Sequence, residues 1–162
     1  MEQTIFKHME TTRDLTLKVF DRIPEELMDV VPEGFNNSIR WNLGHIAFIQ
    51  DRLVYQVAGE PIGVPYAFEE YFKAETKPAN WLGEPPSLEE IKEALISQSG
   101  RIKESRKSRL DEALPEPFTN RMGVTFYTKG DTLLFTFYHE AMHYETIKQI
   151  YRAIQREQGE AR

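Results

Sequence analysis

Three of the four histidines in the sequence have the spacing and surroundings of a metal site. His139 and His143 are four residues apart, so on a helix they project from one side and could bind the same ion. His45 lies far upstream, on a second apolar stretch with helical periodicity. Three imidazoles from two helices would leave one coordination position open, which distinguishes catalytic zinc sites from structural ones. The sequence therefore predicts a divalent-metal site at His45, His139 and His143.

Residues 139–143 read His-Glu-Ala-Met-His and match the His-Glu-x-x-His motif of zinc proteases. A protease is disfavoured, because only nineteen residues follow His143 and the glutamates there (Glu145, Glu157 and Glu160) are poorly placed as a third ligand. A di-iron carboxylate bundle needs two Glu-x-x-His elements, and Glu140 begins the only one. We predict Glu140 to be a catalytic base or a partner of a metal ligand, with a surface charge as the alternative.

Each histidine also has a simpler interpretation. Trp41, Phe48 and Ile49 are helical neighbours of His45, so this residue could be a core histidine satisfied by a carbonyl or by Asn42. His8 lies in a polar stretch and is expected at the surface.

Composition limits the classes of function. A net charge of −6 with 20 Lys+Arg argues against nucleic-acid binding, and we interpret the basic run 101–109 as a solvated helix face. The absence of cysteine excludes disulfides and a cysteine nucleophile, so thiol chemistry would use the substrate's thiol. No apolar run approaches the ~18 residues of a membrane span, and the N-terminus lacks the core of a signal peptide. A cytoplasmic protein without membrane contacts is expected.

Four segments show the helical periodicity that must position these residues. They cover about 3–23, 38–58, the stretch from Ser87 onward, and 130–156. Ser38 is a candidate N-cap, and Ser87 with Glu90 forms a capping box. The inward stripe of the first segment is predicted to be Ile5, Met9, Thr12, Thr16, Val19 and Ile23.

Two connections complete the predicted architecture. The connection 59–86 is rich in proline and aromatics; it could hold a short helix over 66–75 and act as a lid. Residues 114–128 could hold a short hairpin, though not a sheet. We therefore predict an all-α four-helix bundle with one long crossover, in a single domain over 1–162.

Three motifs in order resemble the DinB family, also described as YfiT-like metal-dependent hydrolases. They are Asn37-Ser38-Ile39-Arg40-Trp41-Asn42-Leu43-Gly44-His45-Ile46, Asp131-Thr132-Leu133 and His139-Glu140-Ala141-Met142-His143, and the likeness covers nearly the whole chain. The resemblance implies an up-down-down-up four-helix bundle with zinc or nickel on His45, His139 and His143. It also implies a homodimer. Some members transfer low-molecular-weight thiols such as bacillithiol, mycothiol or glutathione onto electrophiles.

Three hypotheses about function follow. The leading one is an enzyme whose three-histidine metal site activates water or a low-molecular-weight thiol, as a hydrolase or a thiol S-transferase, for a small-molecule substrate. Arg40, Asn42 and Arg52 near His45 are candidate anchors for the cosubstrate. The second is a non-catalytic, stress-related protein that binds metal or a small molecule. The third is an interaction protein whose histidines are core residues.

Overall fold

The computed structural model describes residues 1–159 and contains five α-helices and two β-strands. Glu160 and the end of the predicted domain over 1–162 lie outside the described residues. The helices are α1 (Glu2–Phe20), α2 (Ile39–Asp51), α3 (Tyr66–Phe72), α4 (Leu88–Arg106) and α5 (Lys129–Glu157). The strands are β1 (Ala113–Thr119) and β2 (Thr125–Thr128), and 3-10 turns occupy Glu25–Leu27 and Pro78–Asn80. The four long helices coincide with the four periodic segments of the sequence.

The starts of the long helices follow from their capping residues. Ser38 Oγ accepts a hydrogen bond from the Trp41 amide at 3.2 Å and so begins α2 as predicted. Ser87 and Glu90 form the predicted capping box of α4. In a second capping box, the Thr128 side chain accepts a hydrogen bond from the Asp131 amide, and the Asp131 side chain accepts one from the Thr128 amide. Helix α5 therefore begins at Lys129.

Helix α2 lies at the centre of the fold. It packs against α3, α4 and α5. Helix α1 also packs against α4 and α5. Twelve of the thirteen residues of α2 are buried, and these include the polar side chains of Asn42, Gln50 and Asp51. Helix α2 continues into a π-helical segment, Arg52–Gln56, in which the Val57 amide donates to the Arg52 carbonyl, and it ends before Gly59 at φ +74°. His45 is therefore inside the protein because its whole helix is.

The buried stripe of α1 differs from the predicted one. The buried residues are Phe6, Met9, Arg13, Thr16 and Phe20. Of the residues predicted to face inward, Met9, Thr16 and Ile23 are buried, whereas Ile5, Thr12 and Val19 are only partly buried. Arg13 takes the inward position that was predicted for Thr12. The helix also ends at Phe20, three residues before the expected end.

The all-α class needs a correction at residues 113–128. The predicted hairpin is present and forms a two-stranded antiparallel sheet, with Phe118 opposite Phe126 and their rings stacked at 6.2 Å. Its turn is set by Asn120, whose Oδ1 accepts from the Met122 and Val124 amides at 2.9 and 3.0 Å, and by Gly123 at φ +80°. The hairpin packs against α5 and forms one wall of the cleft described below.

The long connection between α2 and α4 contains α3, which ends at Phe72 rather than extending to 75. Lys73 is extended and Glu75 has φ +80°, so the backbone cannot continue the helix. Phe72 is fully buried against α2. Within residues 1–159, no helix is long and apolar enough to cross a membrane.

Candidate metal centre

The side chains of His45, His139 and His143 meet where α2 packs against α5. One ligand nitrogen from each histidine lies within 4.8 Å of the other two. The Nε2 atoms of His45 and His139 are 3.3 Å apart, and the three ring centroids are 4.5 to 5.1 Å from one another. The structure thus brings together the three residues that the sequence singled out.

His45 is held in one orientation by the end of α3. Its Nδ1 donates a hydrogen bond to the Phe72 carbonyl at 2.6 Å, since a carbonyl oxygen can only accept. The proton is then on Nδ1, and the lone pair on Nε2 faces the other histidines. Trp41 stacks on one face of the imidazole, 4.5 Å between centroids. No local pattern around Phe72 indicates that its carbonyl is aimed at His45, so this contact was not predicted from the sequence.

His143 is held in the same way by Asn42. Its Nδ1 lies 2.8 Å from Asn42 Oδ1, while Asn42 Nδ2 donates to the Ser38 carbonyl at 2.8 Å. The amide oxygen is therefore the acceptor, and His143 also keeps its lone pair on Nε2. Asn42, which was expected to anchor a cosubstrate, instead orients a histidine. Carbonyl and amide oxygens on the far nitrogen are the usual partners of metal-bound imidazoles.

Burial keeps the three imidazoles neutral. Burial lowers the pKa of His45 to about 4, although its hydrogen bond to the Phe72 carbonyl acts in the opposite direction. Burial, with the neighbouring His143 and His45 charges, lowers the pKa of His139 to about 2. Burial, with the His45 charge, lowers the pKa of His143 to about 3. At neutral pH all three are in the neutral form, whose second ring nitrogen has a free lone pair that can bind a metal.

A cleft of about 470 Å³ opens onto His45 and His139. Its apolar wall comes from α2, the hairpin and α5: Phe48, Ile49, Leu53, Phe118, Phe135 and Met142. Charged side chains surround it: Arg52, Glu69, Lys73, Glu75 and Arg121. A small molecule in this cleft would contact two of the three histidines directly.

The two arginines predicted as cosubstrate anchors are placed differently. Arg52 lines the cleft, with its guanidinium carbon 5.6 Å from the centroid of the Phe118 ring. Arg40 does not line the cleft; it forms an ion pair with Asp29 at 2.7 Å on the protein surface. Of these two arginines, Arg52 is therefore the one that can meet a ligand bound beside the histidines.

Glu140 does not belong to the histidine cluster. Its carboxylate is buried and accepts hydrogen bonds from Arg13 and Thr16 of α1. Both carboxylate oxygens are therefore engaged on the α1 side of the helix. This placement is contrary to the predicted role of Glu140 as a catalytic base and equally contrary to the alternative of a surface charge.

Comparisons with known proteins agree with the histidine pattern and the fold. The sequence model of a family described as the DinB superfamily matches residues 8–147, which include all three histidines. No curated protein matches the sequence. Among solved structures, a conserved protein from Enterococcus faecalis is similar with a TM-score of 0.64 and 12% identity, over 94% of this chain and 96% of that one. At this identity the similarity shows the fold alone.

Proposed function

The chain belongs to the DinB superfamily, and we propose that it is a metal-dependent enzyme acting on a small molecule. His45, His139 and His143 would hold one divalent ion, with zinc or nickel preferred, and the cleft in front of them would hold the substrate. The observation that carries the proposal is the convergence of three neutral imidazoles within 4.8 Å, two of which line a cleft.

The donor set fits such an ion. Two nitrogens bound to one tetrahedral zinc at about 2.0–2.1 Å lie roughly 3.3–3.4 Å apart, and the Nε2 atoms of His45 and His139 are 3.3 Å apart. Phe72 and Asn42 occupy the far nitrogens of two of the rings, which leaves Nε2 as the free donor in each. Three nitrogen donors with no carboxylate or thiolate suit zinc, nickel, copper or iron, and we prefer zinc or nickel because the resemblance to the family implies them.

The bound ion would supply Lewis-acid chemistry, lowering the pKa of a coordinated water or thiol so that it reacts as a nucleophile near neutral pH. The protein's own residues would orient the imidazoles and bind the substrate. Phe72 and Asn42 fix the imidazoles, and the apolar wall of the cleft packs against the body of the substrate. Because the chain has no cysteine, a reacting thiol would have to come from a low-molecular-weight cosubstrate.

Arg52 is the side chain best placed to recognise a charged group. Within residues 1–159 it makes no ion pair with a carboxylate, and it lies over Phe118 at the edge of the cleft. A guanidinium in this position suits a carboxylate or a similar anion on the substrate or the thiol. Arg40 and Asn42 are not part of this proposed anchor, because Asp29 and His143 engage them.

A second candidate is a protein that binds metal or a small molecule without turnover. It would use the same three histidines and the same cleft. Turnover separates the two. Metal-loaded protein would be assayed with activated esters, and with glutathione or bacillithiol plus an electrophile, beside a His139→Ala variant. Turnover that is lost in the variant supports the enzyme; specific binding without turnover supports the second candidate.

Two further expectations are carried by family membership alone: the up-down-down-up order of the long helices and the homodimer. A third, a lid-like closing of the connection 59–86, rests on the length of that connection. All three stay proposals, as does the cytoplasmic location expected from the sequence.

A further inference from the structure

A buried ion pair joins α1 to α5 one residue away from His139. Arg13 Nε lies 2.9 Å from Glu140 Oε1, and Arg13 Nη2 lies 3.0 Å from Glu140 Oε2. Thr16 Oγ1 also donates to Glu140 Oε1, at 2.7 Å. Both charged side chains are only 3% exposed. The pair is bidentate, the arrangement that fixes orientation most strongly.

The guanidinium of Arg13 also connects the other long helices. Nη2 donates to Gln50 Oε1 of α2 at 2.7 Å. Nη1 donates to the Leu95 carbonyl and to Gln98 Oε1 of α4, at 2.6 and 3.0 Å. With the two bonds to Glu140, all five donors of the arginine are used. One side chain from α1 therefore fixes α2, α4 and α5 relative to one another. We call these contacts of Arg13 and Glu140 the Arg13–Glu140 network.

Stability alone does not account for this network. Replacing a buried ion pair by apolar residues of similar volume is often neutral or stabilising, because two charges lose their hydration on burial. What the pair adds over apolar packing is a defined geometry. A bidentate contact permits one rotation of α5 about its axis, whereas leucine against leucine permits several.

The rotation of α5 matters because the two histidines share its surface with Glu140. At about 100° per residue, Glu140 lies roughly 100° from His139 and 60° from His143 around the helix. Side-chain tips stand about 5–6 Å from a helix axis, so a rotation of about 10° moves them by roughly 1 Å. Metal–ligand distances tolerate only about 0.2 Å. A small rotation of α5 would therefore misplace two ligands together.

We propose that Arg13 and Glu140 are positioning residues that fix the rotation of α5 and so aim His139 and His143 at His45. The inference rests on the proposed function, since it concerns the metal that the histidines would bind. It assigns to Glu140 a role in holding the ligands, without contact to substrate or metal. The network is then a condition for tight and geometrically defined metal binding rather than for folding.

The test uses Co²⁺ as the probe, because its visible spectrum reports coordination geometry. Two variants alter the network. Arg13→Lys keeps the positive charge but loses the planar guanidinium that makes the bidentate contact. Arg13→Met/Glu140→Leu replaces the pair by apolar groups. A matched control is Arg106→Met/Glu60→Gln, which removes another ion pair, 2.8 Å long, whose arginine is also fully buried. Affinity, visible spectrum, helicity and thermal unfolding are measured for each protein.

We expect both network variants to remain helical but to bind Co²⁺ at least tenfold more weakly, with a changed spectrum. The control should bind like the wild type even if its melting temperature falls. Wild-type affinity and spectrum in folded network variants would overturn the inference and leave the proposed function intact. If the double variant does not fold, Arg13→Lys decides by the same two readouts. A wild-type protein that takes up no Co²⁺ would refute the proposed function and this inference together.

Discussion

The carbonyl oxygen of Phe72 accepts a 2.6 Å hydrogen bond from Nδ1 of His45, which ties a proposed metal ligand to the last residue of α3. The contact depends on Gly44, the residue before the histidine. A Cβ on Gly44 would lie 2.5 Å from ring carbons of Phe72, so only glycine allows α3 to approach α2 this closely. The position of the Phe72 carbonyl, and with it the orientation of His45, therefore depends on Gly44.

Gly44→Ala should therefore weaken the metal site through α3. The added methyl must displace the Phe72 ring, at a cost of about 1–3 kcal/mol in the free energy of unfolding, and the carbonyl moves away from His45. We expect a lower melting temperature and weaker metal binding, measured by thermal unfolding and calorimetric titration. Gly100→Ala in α4 is the control, because a Cβ there meets nothing within 4 Å; it should stabilise the helix by about 0.5–1 kcal/mol. Unchanged zinc affinity in Gly44→Ala would contradict this account of His45.

Asn42 offers a matched pair of substitutions at His143. Asn42→Leu removes the oxygen that accepts from Nδ1 and should lower metal affinity about 10–100-fold, the usual effect of losing a partner of a metal-bound imidazole. Asn42→Asp retains an acceptor oxygen and should bind the metal much more tightly than the leucine variant. Competition titrations with a chelating dye measure both. Equal affinities in the two variants would show that the hydrogen bond has no part in binding.

The metal-free protein should lose stability in mild acid. Burial lowers the pKa of His45, His139 and His143 to about 4, 2 and 3, whereas the unfolded chain would have values near 6.5. Between these values the unfolded chain binds protons that the folded chain does not. The contribution of these histidines to the free energy of unfolding is therefore complete above about pH 6.5. It falls as the pH drops toward 4, by up to roughly 1.4 kcal/mol per pH unit for each histidine.

Urea unfolding of metal-free protein at pH 7.5, 6 and 5 would measure this loss. His139→Gln/His143→Gln should show a shallower decline, because two of the three titrating groups are gone. Identical declines in the two proteins would mean that these histidines are not the groups taking up protons on unfolding.

Arg52 should matter only for charged ligands. Arg52→Gln should raise KM about tenfold or more for a substrate or thiol that carries a carboxylate, in keeping with about 1.5–3 kcal/mol for a charge-assisted hydrogen bond. It should leave KM for a neutral analogue nearly unchanged. Arg22→Gln, an exposed site that does not line the cleft, serves as the control. Equal changes for charged and neutral ligands would exclude the proposed contact.

The parts of this structure that depend on neighbouring residues could be predicted from the sequence. The four-residue spacing of His139 and His143, the caps at Ser38 and Ser87, and the hairpin are all local patterns, and the structure contains each of them. The location of His45 beside the other histidines followed from apolar periodicity on a second helix.

The contacts that orient the ligands could not be predicted in this way, because they join distant positions. Phe72 and His45 are 27 residues apart, and Arg13 and Glu140 are 127 apart. One signal was present: Arg13 has the 3–4 residue spacing of Phe6, Met9, Thr16 and Phe20 on α1. A charged residue in step with such a stripe indicates a buried partner, and here the partner is Glu140.

Metal binding by the three histidines is tested most directly by elemental analysis of the purified, untagged protein beside a His139→Ala/His143→Ala variant. Both would be incubated with zinc or nickel and then desalted. We expect about one equivalent of metal per chain in the wild type and none in the variant, with helicity retained in both. No metal in either protein, or equal amounts in both, would contradict the three-histidine centre.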